Sequence, residues 1–474
     1  MMTRVFLATL LLLATFSRGA AQDAERIRAV ETGLTPRVAV KGRPAPRYTI
    51  QERMKAMNVH GVSVAAIENY EIAWAKGYGL ADVSTRRPVT PETLFLAGSI
   101  SKPLTAAAVL SLVEQDKLKL DADVNSYLRS WKVPENEYTK EQKVTLRRIL
   151  SHMAGLTVHG FPGYPAGSPL PTIPQILDGE RPANSPAVRV DLVPGSRFRY
   201  SGGGYTVAQL LLTDVTGEPF PALLKKTVLS KAGMQHSTYE NPLPQRLAFQ
   251  AATGYQGNGD AYEGRYYTYP EMAAAGLWTT ASDLARFVIA IQKTREGRAP
   301  TILQQATVEE MLRPANPSYG LGFRIEESGG LKRFSHGGAD AGFEAVIMAG
   351  FDGRGFVVLT NSQNGGRLAG EIAMSFAAAY GWPDKARERE ALVLPAESLA
   401  KFAGEYDAAR MGKIACRVEQ DHLVLTVPSL GEVVLYAATP DTFFSLSGVP
   451  DIKFAPDGSS FTTGNVTAKR AKRE

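Results

Sequence analysis

From Arg26 to Trp382 the apolar positions of this chain recur by turns at helical and at strand spacing; from about Leu394 onward only short strand-like runs are left. Val62-Ser63-Val64-Ala65-Ala66-Ile67 and Ile72-Ala73-Trp74-Ala75 predict an early hairpin. Pro103 to Leu118 places Leu104, Ala107, Ala108, Leu110, Leu112 and Val113 on a helical repeat, and Thr206 to Val215 predicts another apolar helix. Ala345 to Ala349 and Gly355 to Leu359 are apolar and turn-bounded, as central strands are. Strands at both ends of the block with helices between them predict an α/β sandwich whose sheet is closed by both ends of the block.

In the second block His422 to Val427, Glu432 to Tyr436 and Asp441 to Phe444 are strand candidates separated by turns, spaced as in a small antiparallel barrel or sandwich. Between the blocks, Gly381-Trp382-Pro383-Asp384 and the charged run Lys385 to Glu390 read as a domain boundary. Gly160 to Pro194 holds eight prolines, which excludes a continuous helix or a central strand there. Composition leaves two readings of it equal: an ordered loop beside a site, or a surface excursion.

Composition narrows the class. Apolar residues at 44% and charged residues at 21% are ordinary for a globular chain of 474 residues with two or three domains. A single cysteine, Cys416, excludes an intramolecular disulfide and a cysteine-built metal site. Residues 1–21 read as a secretory signal: Arg4, the 12-residue apolar core Val5 to Phe16, then Gly19 and Ala21 ahead of the cleavage point. A core of that length spans about 18 Å as a helix, short of a ~30 Å hydrocarbon layer. The expectation is an exported protein, periplasmic or secreted, with no transmembrane segment in the mature chain. The net charge of +6 suggests a basic partner surface until it is located. Arg4 and Arg18 leave with the signal, and Ala468 to Glu474 carries three of the remaining four charges. The body is close to neutral, so nucleic acid is not an expected partner. What is left is a short basic tail, open to contact with an anionic envelope.

Ser99-Ile100-Ser101-Lys102 opens the Pro103 helix. Residues three apart share a helix face, so the hydroxyl and the ammonium can meet. A serine attacks only when a neighbour takes its proton, and a helix N-terminus aims N–H groups at the oxyanion that forms. Alone the spacing is weak: it recurs at Ser398 to Lys401 without a role, and Ser99 reads equally as a helix cap. Two further stretches add weight. Tyr200 stands in Phe198-Arg199-Tyr200-Ser201-Gly202-Gly203-Gly204, and near a lysine it can serve as a base. Phe334-Ser335-His336-Gly337-Gly338-Ala339 holds two glycines that would flatten a strand edge for substrate to approach.

In this order the three motifs resemble the serine β-lactamase and penicillin-binding-protein superfamily, in its class C-like branch. Phe95 to Gly98, Val109 to Gln115, Leu118 to Asp121, Ile149 to Leu156 and Ala275 to Leu284 share the likeness, which covers roughly residues 45–380. The stretch from Phe402-Ala403-Gly404-Glu405-Tyr406 resembles the lipocalin-like C-terminal domain of some such hydrolases. The resemblance implies a sandwich of an antiparallel sheet with helices over residues 22–390, and a small antiparallel β-barrel over 395–474. It implies Ser99 as the acylated nucleophile, Lys102 as its proton partner and Tyr200 as general base, with no cofactor. The N–H groups of Ser99 and Ala339 would form the oxyanion hole, with His336, Gly337, Gly338 and Gly202 around the substrate. Two departures stand out. Gly202 replaces the asparagine of Y-x-N, removing an amide, and His336 replaces the lysine of K-T-G, leaving a group mostly neutral at pH 7.

The expected activity is therefore hydrolysis of an amide or ester, first of a small or peptide substrate containing a D-amino acid, which includes cell-wall fragments. A carboxylesterase or weak β-lactamase is the alternative, and a silent peptide- or peptidoglycan-binding sensor the non-enzymatic one. A Ser-His-Asp hydrolase using His336 and Asp340 is the rival mechanism, although no G-x-S-x-G elbow is present. The six histidines form no metal-binding pattern, and His152 reads as a hydrogen-bonded structural residue. The oligomeric state is not encoded in any of these patterns.

Overall fold

The computed structural model describes residues 23–298, 301–409 and 411–471; the signal segment lies outside them. They divide into two compact units, residues 58–369 and residues 23–57 with 370–471.

The first unit is built on strands β1 (Gly61–Glu68), β2 (Glu71–Asp82), β3 (Arg87–Pro88), β4 (Phe95–Leu96), β5 (Trp278–Thr279), β6 (Arg324–Ser328), β7 (Leu331–Asp340), β8 (Phe343–Gly350) and β9 (Gly355–Thr360). Seven of them form one antiparallel sheet in the order β3-β2-β1-β9-β8-β7-β6, while β4 pairs with β5. The early hairpin thus lies against the latest strand, as the two-ended closure requires. Its turn is made by Asn69 and Tyr70, both with positive φ, the geometry that suits the right-handed strand twist.

Helix α1 (Ser101–Glu114) is buried from Ser101 through Leu112, so the apolar stripe expected of a surface helix is replaced by contact all round. It stops four residues short of the predicted Leu118, because Asp116 takes a left-handed conformation that ends the helix. Helix α2 (Gly202–Thr216) starts four residues before the predicted Thr206. Glycine has low helix propensity, yet Ser201 caps this helix through Gly204 N–H at 2.9 Å, and Gly202 and Gly203 stand where a side chain would be crowded. Helices α3 (Met272–Ala275) and α4 (Ala281–Arg295) complete the elements that frame the site. The Pro-rich stretch is ordered and holds one short helix, Ile173–Asp178.

In the second unit eight antiparallel strands, from Gly404–Ala408 to Val466–Arg470, close into a barrel. Alternation fills it: Ile414 and Cys416 point inward from one strand, Val433, Leu435 and Ala437 from another. The three predicted strands are present at His422–Val427, Gly431–Ala437 and Thr442–Ser445. Part of the basic tail belongs to the barrel: Ala468 is buried in the last strand, and Arg470 donates to the carbonyls of Lys401 and Ala403. Lys472 and Arg473 lie outside the described residues. The charged run also gains a partner: Arg387–Arg389 pairs in parallel with Val38–Val40.

Burial pushes the Cys416 thiol up to about 12, so it is a thiol and not a thiolate at neutral pH. Its reaction with a disulfide reagent is expected to be roughly a hundredfold slower in the native protein than in denaturant. Equal rates would show that the barrel does not enclose Cys416.

Candidate active site

Lys102 stands one turn into the structure that begins with the Gly98–Ile100 3-10 turn and runs into α1. Its side chain is 1% exposed, and its Nζ donates to Ser99 Oγ at 2.8 Å and to Ala274 O at 2.8 Å. The i, i+3 spacing read from the sequence therefore produces a direct contact. Ser99 itself is partly open to solvent.

The second acceptor, Ala274 O, is held in place by a polar lattice. Gln209 of α2 accepts from Ala273 N–H at 2.8 Å and donates to Pro270 O at 3.0 Å. Thr105 donates to Ala273 O, and Ser101 Oγ donates to Gly98 O at 2.7 Å while accepting from Leu277 N–H at 3.0 Å. All of these residues but Pro270 are buried, where an unpaired polar atom is costly, so the lattice fixes the helix and the 270–277 segment together.

Tyr200 comes from the opposite wall. Its ring centroid lies 5.0 Å from Lys102 Nζ, and it packs on His152 at 4.1 Å and His159 at 4.8 Å. His152 Nδ1 accepts from Ser201 N–H at 3.1 Å, and Arg199 N–H donates to His152 O. Burial, then the charge of Lys102, holds His152 well below its usual range, so the ring is neutral with its proton on Nε2. This is the hydrogen-bonded structural histidine read from the sequence, and it is also what holds Tyr200. That second part was missed, because a ring stack across 48 positions leaves no local pattern.

Gly338 and Gly98 explain the approach of β7. A methyl group on Gly338 would lie 1.9 Å from Ala97 O and 3.2 Å from Ser99 N; one on Gly98 would lie 2.6 Å from Ala339 N. The Ala97–Ser99 turn and the Gly338–Ala339 backbone thus run close against each other. Gly337 is exposed and has no such crowding. His336 is buried, with Nδ1 2.5 Å from Gly337 O, and burial with Lys102 nearby pushes it down to about 3. It is an uncharged ring, with no hydrogen bond to Asp340, so the Ser-His-Asp geometry is not formed. Gly202 is buried, and a side chain there would meet His159 O at 3.0 Å and Phe161 at 3.2 Å. The His159 carbonyl and Phe161 of the Pro-rich loop therefore crowd the root of any side chain at this position.

The fold and these contacts agree with what the chain resembles. A beta-lactamase profile matches residues 47–379. The chain belongs to the beta-lactamase family. It is 28% identical over 331 residues to PbpX of Bacillus subtilis, which carries the name of a penicillin-binding protein, covering 67% of this chain and 75% of that one. It is 26% identical over 291 residues to a D-aminopeptidase of Brucella anthropi, covering 60% of this chain and spanning 52% of that enzyme's length. Among solved structures, an octameric penicillin-binding protein homologue from Pyrococcus abyssi aligns at TM-score 0.60 and 24% identity, over 88% of this chain and 98% of that one. A D-amino acid amidase from Ochrobactrum anthropi aligns at TM-score 0.55 and 21% identity, over 70% and 97%. The beta-lactamase family member described here is a serine hydrolase by this kinship.

One buried acid is unaccounted for by sequence reasoning. Glu271, immediately before α3, is 0% exposed, neither carboxyl oxygen has a hydrogen-bond partner, and burial pushes it up to about 7. A carboxyl raised from 4.5 to about 7 stays protonated in the folded state while the unfolded chain has released its proton, so stability is full below 4.5 and falls as pH rises through 7. The loss is on the order of 3 kcal/mol. Glu271→Gln is expected to raise the melting temperature above pH 7 relative to the parent and to have little effect at pH 4.5. Parallel melting curves from pH 4.5 to 8 for the two proteins would refute this.

Proposed function

We propose that this protein is an exported hydrolase that forms an ester on Ser99 with the acyl part of an amide, most readily one containing a D-amino acid. The observation that carries the reading is the Lys102 Nζ contact with Ser99 Oγ at 2.8 Å beneath the Tyr200 ring. Ser99 Oγ attacks the carbonyl carbon while Tyr200, beside Lys102, takes its proton. The ammonium of Lys102 favours the negative charge that builds on Oγ, and the N–H groups of Ser99 and Ala339 receive the carbonyl oxygen. Tyr200 returns the proton to the leaving nitrogen as the C–N bond breaks. Water then attacks the ester by the same route in reverse, freeing the acid and Ser99. Export rests on the residue 1–21 pattern, and the D-amino-acid class rests on the D-aminopeptidase and D-amino acid amidase relatives.

A carboxylesterase is the second reading, favoured by Gly202. Without an amide at that position nothing there grips a substrate amide, and an ester needs no such grip. The neutral His336 likewise supplies no fixed cation for a substrate carboxylate, which counts against efficient β-lactam hydrolysis.

The mechanism is tested by comparing variants on a panel of nitrocefin, p-nitrophenyl esters and D-amino-acid anilides. Ser99→Ala is expected to abolish turnover and labelling by a fluorophosphonate. Tyr200→Phe should lower kcat by roughly 10²–10⁴, the usual share of a general base. His336→Ala should cost much less. The reverse ranking, with His336 essential and Tyr200 dispensable, would sink this mechanism in favour of a histidine base.

A further inference from the structure

Beyond Ala339 the β7 edge runs into a cavity of about 380 Å³, a size suited to a substrate group. Phe161 of the Pro-rich loop and Tyr262, Tyr267 and Tyr269 form its aromatic walls. Tyr269 is fixed there by accepting from Ala341 N–H at 2.8 Å, and Tyr262 and Tyr267 meet edge to face at 5.2 Å. Its titratable acids are Asp340 and Glu344, Gln363 is a neutral polar neighbour, and no lysine or arginine lines it among the described residues.

Neither acid has a cationic partner in the lining of this cavity. Asp340 Oδ2 is shielded from solvent and has no hydrogen-bond partner. Glu344 makes no side-chain hydrogen bond or ion pair with the described residues; its Oε2 lies against Gly366, where an added Cβ would come within 3.3 Å. Burial pushes Glu344 up to about 8. Asp340 is held well above the carboxylate range by burial, with the neighbouring Glu344 adding to it and Lys102 and the Gly98 N–H opposing. Aromatic faces carry negative charge density, and carboxyl groups among them gain most by becoming carboxylates beside a cation. An apolar or anionic occupant would bury both acids without a counter-charge.

We propose that this cavity is a subsite for a cationic group of the substrate, an alkylammonium carried on the part of the molecule next to the scissile carbonyl. The inference rests on the Ser99 acyl-transfer reading, since Ala339 belongs both to the cavity wall and to the oxyanion site. It adds a charge requirement that this reading does not contain. The ammonium can be the α-amino group of an N-terminal residue or one on a side chain; the chemistry of recognition is the same.

Two matched esters test it on the full chain: p-nitrophenyl 4-(trimethylammonio)butyrate and its neutral isostere p-nitrophenyl 5,5-dimethylhexanoate. The wild type is expected to prefer the cationic ester at least tenfold in kcat/KM. Glu344→Gln is expected to bring that ratio close to one, and Tyr262→Leu to reduce it severalfold, a second variant on a different wall should the first fold poorly. Equal rates for the two esters in the wild type, or a ratio unchanged in both variants, would overturn the proposal. A further pair, D-alanine p-nitroanilide and its N-acetyl derivative, separates the sources. Selective loss on acetylation identifies the α-ammonium; cleavage of both with the ester preference intact identifies a side-chain cation. If neither anilide is cleaved while the ester preference holds, the peptidase reading fails and the cationic subsite stands.

Discussion

A lysine with 1% of its surface exposed has lost its water and needs acceptors from the protein, and Lys102 has two, with the Tyr200 ring on a further side. That constraint organises the site. Lys102 finds Ser99 Oγ on its own helical turn, which the i, i+3 spacing provides without help. The other acceptor, Ala274 O, is 172 residues away and needs a short helix delivered to the right place. Gln209, Thr105 and Ser101 perform the delivery, each tying a buried backbone group of the 270–277 segment to α1 or α2. Tyr239 adds a further link by donating to Ser101 O at 3.0 Å. Ser99 is therefore positioned by Lys102, and Lys102 by a polar lattice that ties the 270–277 segment to the two helices.

The sheet contributes the remaining half by bringing backbone close to backbone. Strand β7 can run against the Ala97–Ser99 turn only because Gly98 and Gly338 have no side chains at the contact. The sheet in turn exists only because β1 and β2 from the start of the unit pair alongside β9 from its end. The close approach of the Ser99 and Ala339 backbone thus depends on long-range strand pairing. Tyr200 is held by a third kind of contact, a stack on a buried neutral histidine whose Nδ1 fixes the next residue.

The fold class was legible wherever apolar periodicity was strong: the hairpin at 62–75, the helix after Lys102, the strands at 345–359 and 422–427. It was not legible where few residues face inward. Ser460–Thr463 and Val466–Arg470 bury only Phe461 and Ala468 and carry serine, threonine and basic residues outward, so no apolar run marks them. Helix α2 was read four residues short, because three glycines signal a turn unless crowding by His159 O, Thr157 O and Val188 is known. The same reasoning divides the site. Ser99 with Lys102 is local and could be seen; Tyr200 and the H-G-G-A stretch became visible through order and resemblance. Gln209, His152 and the cavity acids meet their neighbours only in three dimensions.

The two departures from the family pattern share one electrostatic consequence. Where the pattern has a lysine to hold a substrate anion, this chain has His336, buried and held at about 3, hence uncharged at any pH where the enzyme would work. Where it has an asparagine amide, this chain has Gly202 covered by the Pro-rich loop. The one cation left among these motif positions is Lys102, and it is engaged with Ser99 and Ala274. On the far side of Ala339 lie Asp340 and Glu344 between aromatic rings. The loss of the outer cation and the presence of these acids both fit the proposed cation subsite, since each carboxyl can release its proton when a cation sits beside it. On that proposal the favoured substrate differs from the carboxylate-bearing ones that a K-T-G lysine would hold.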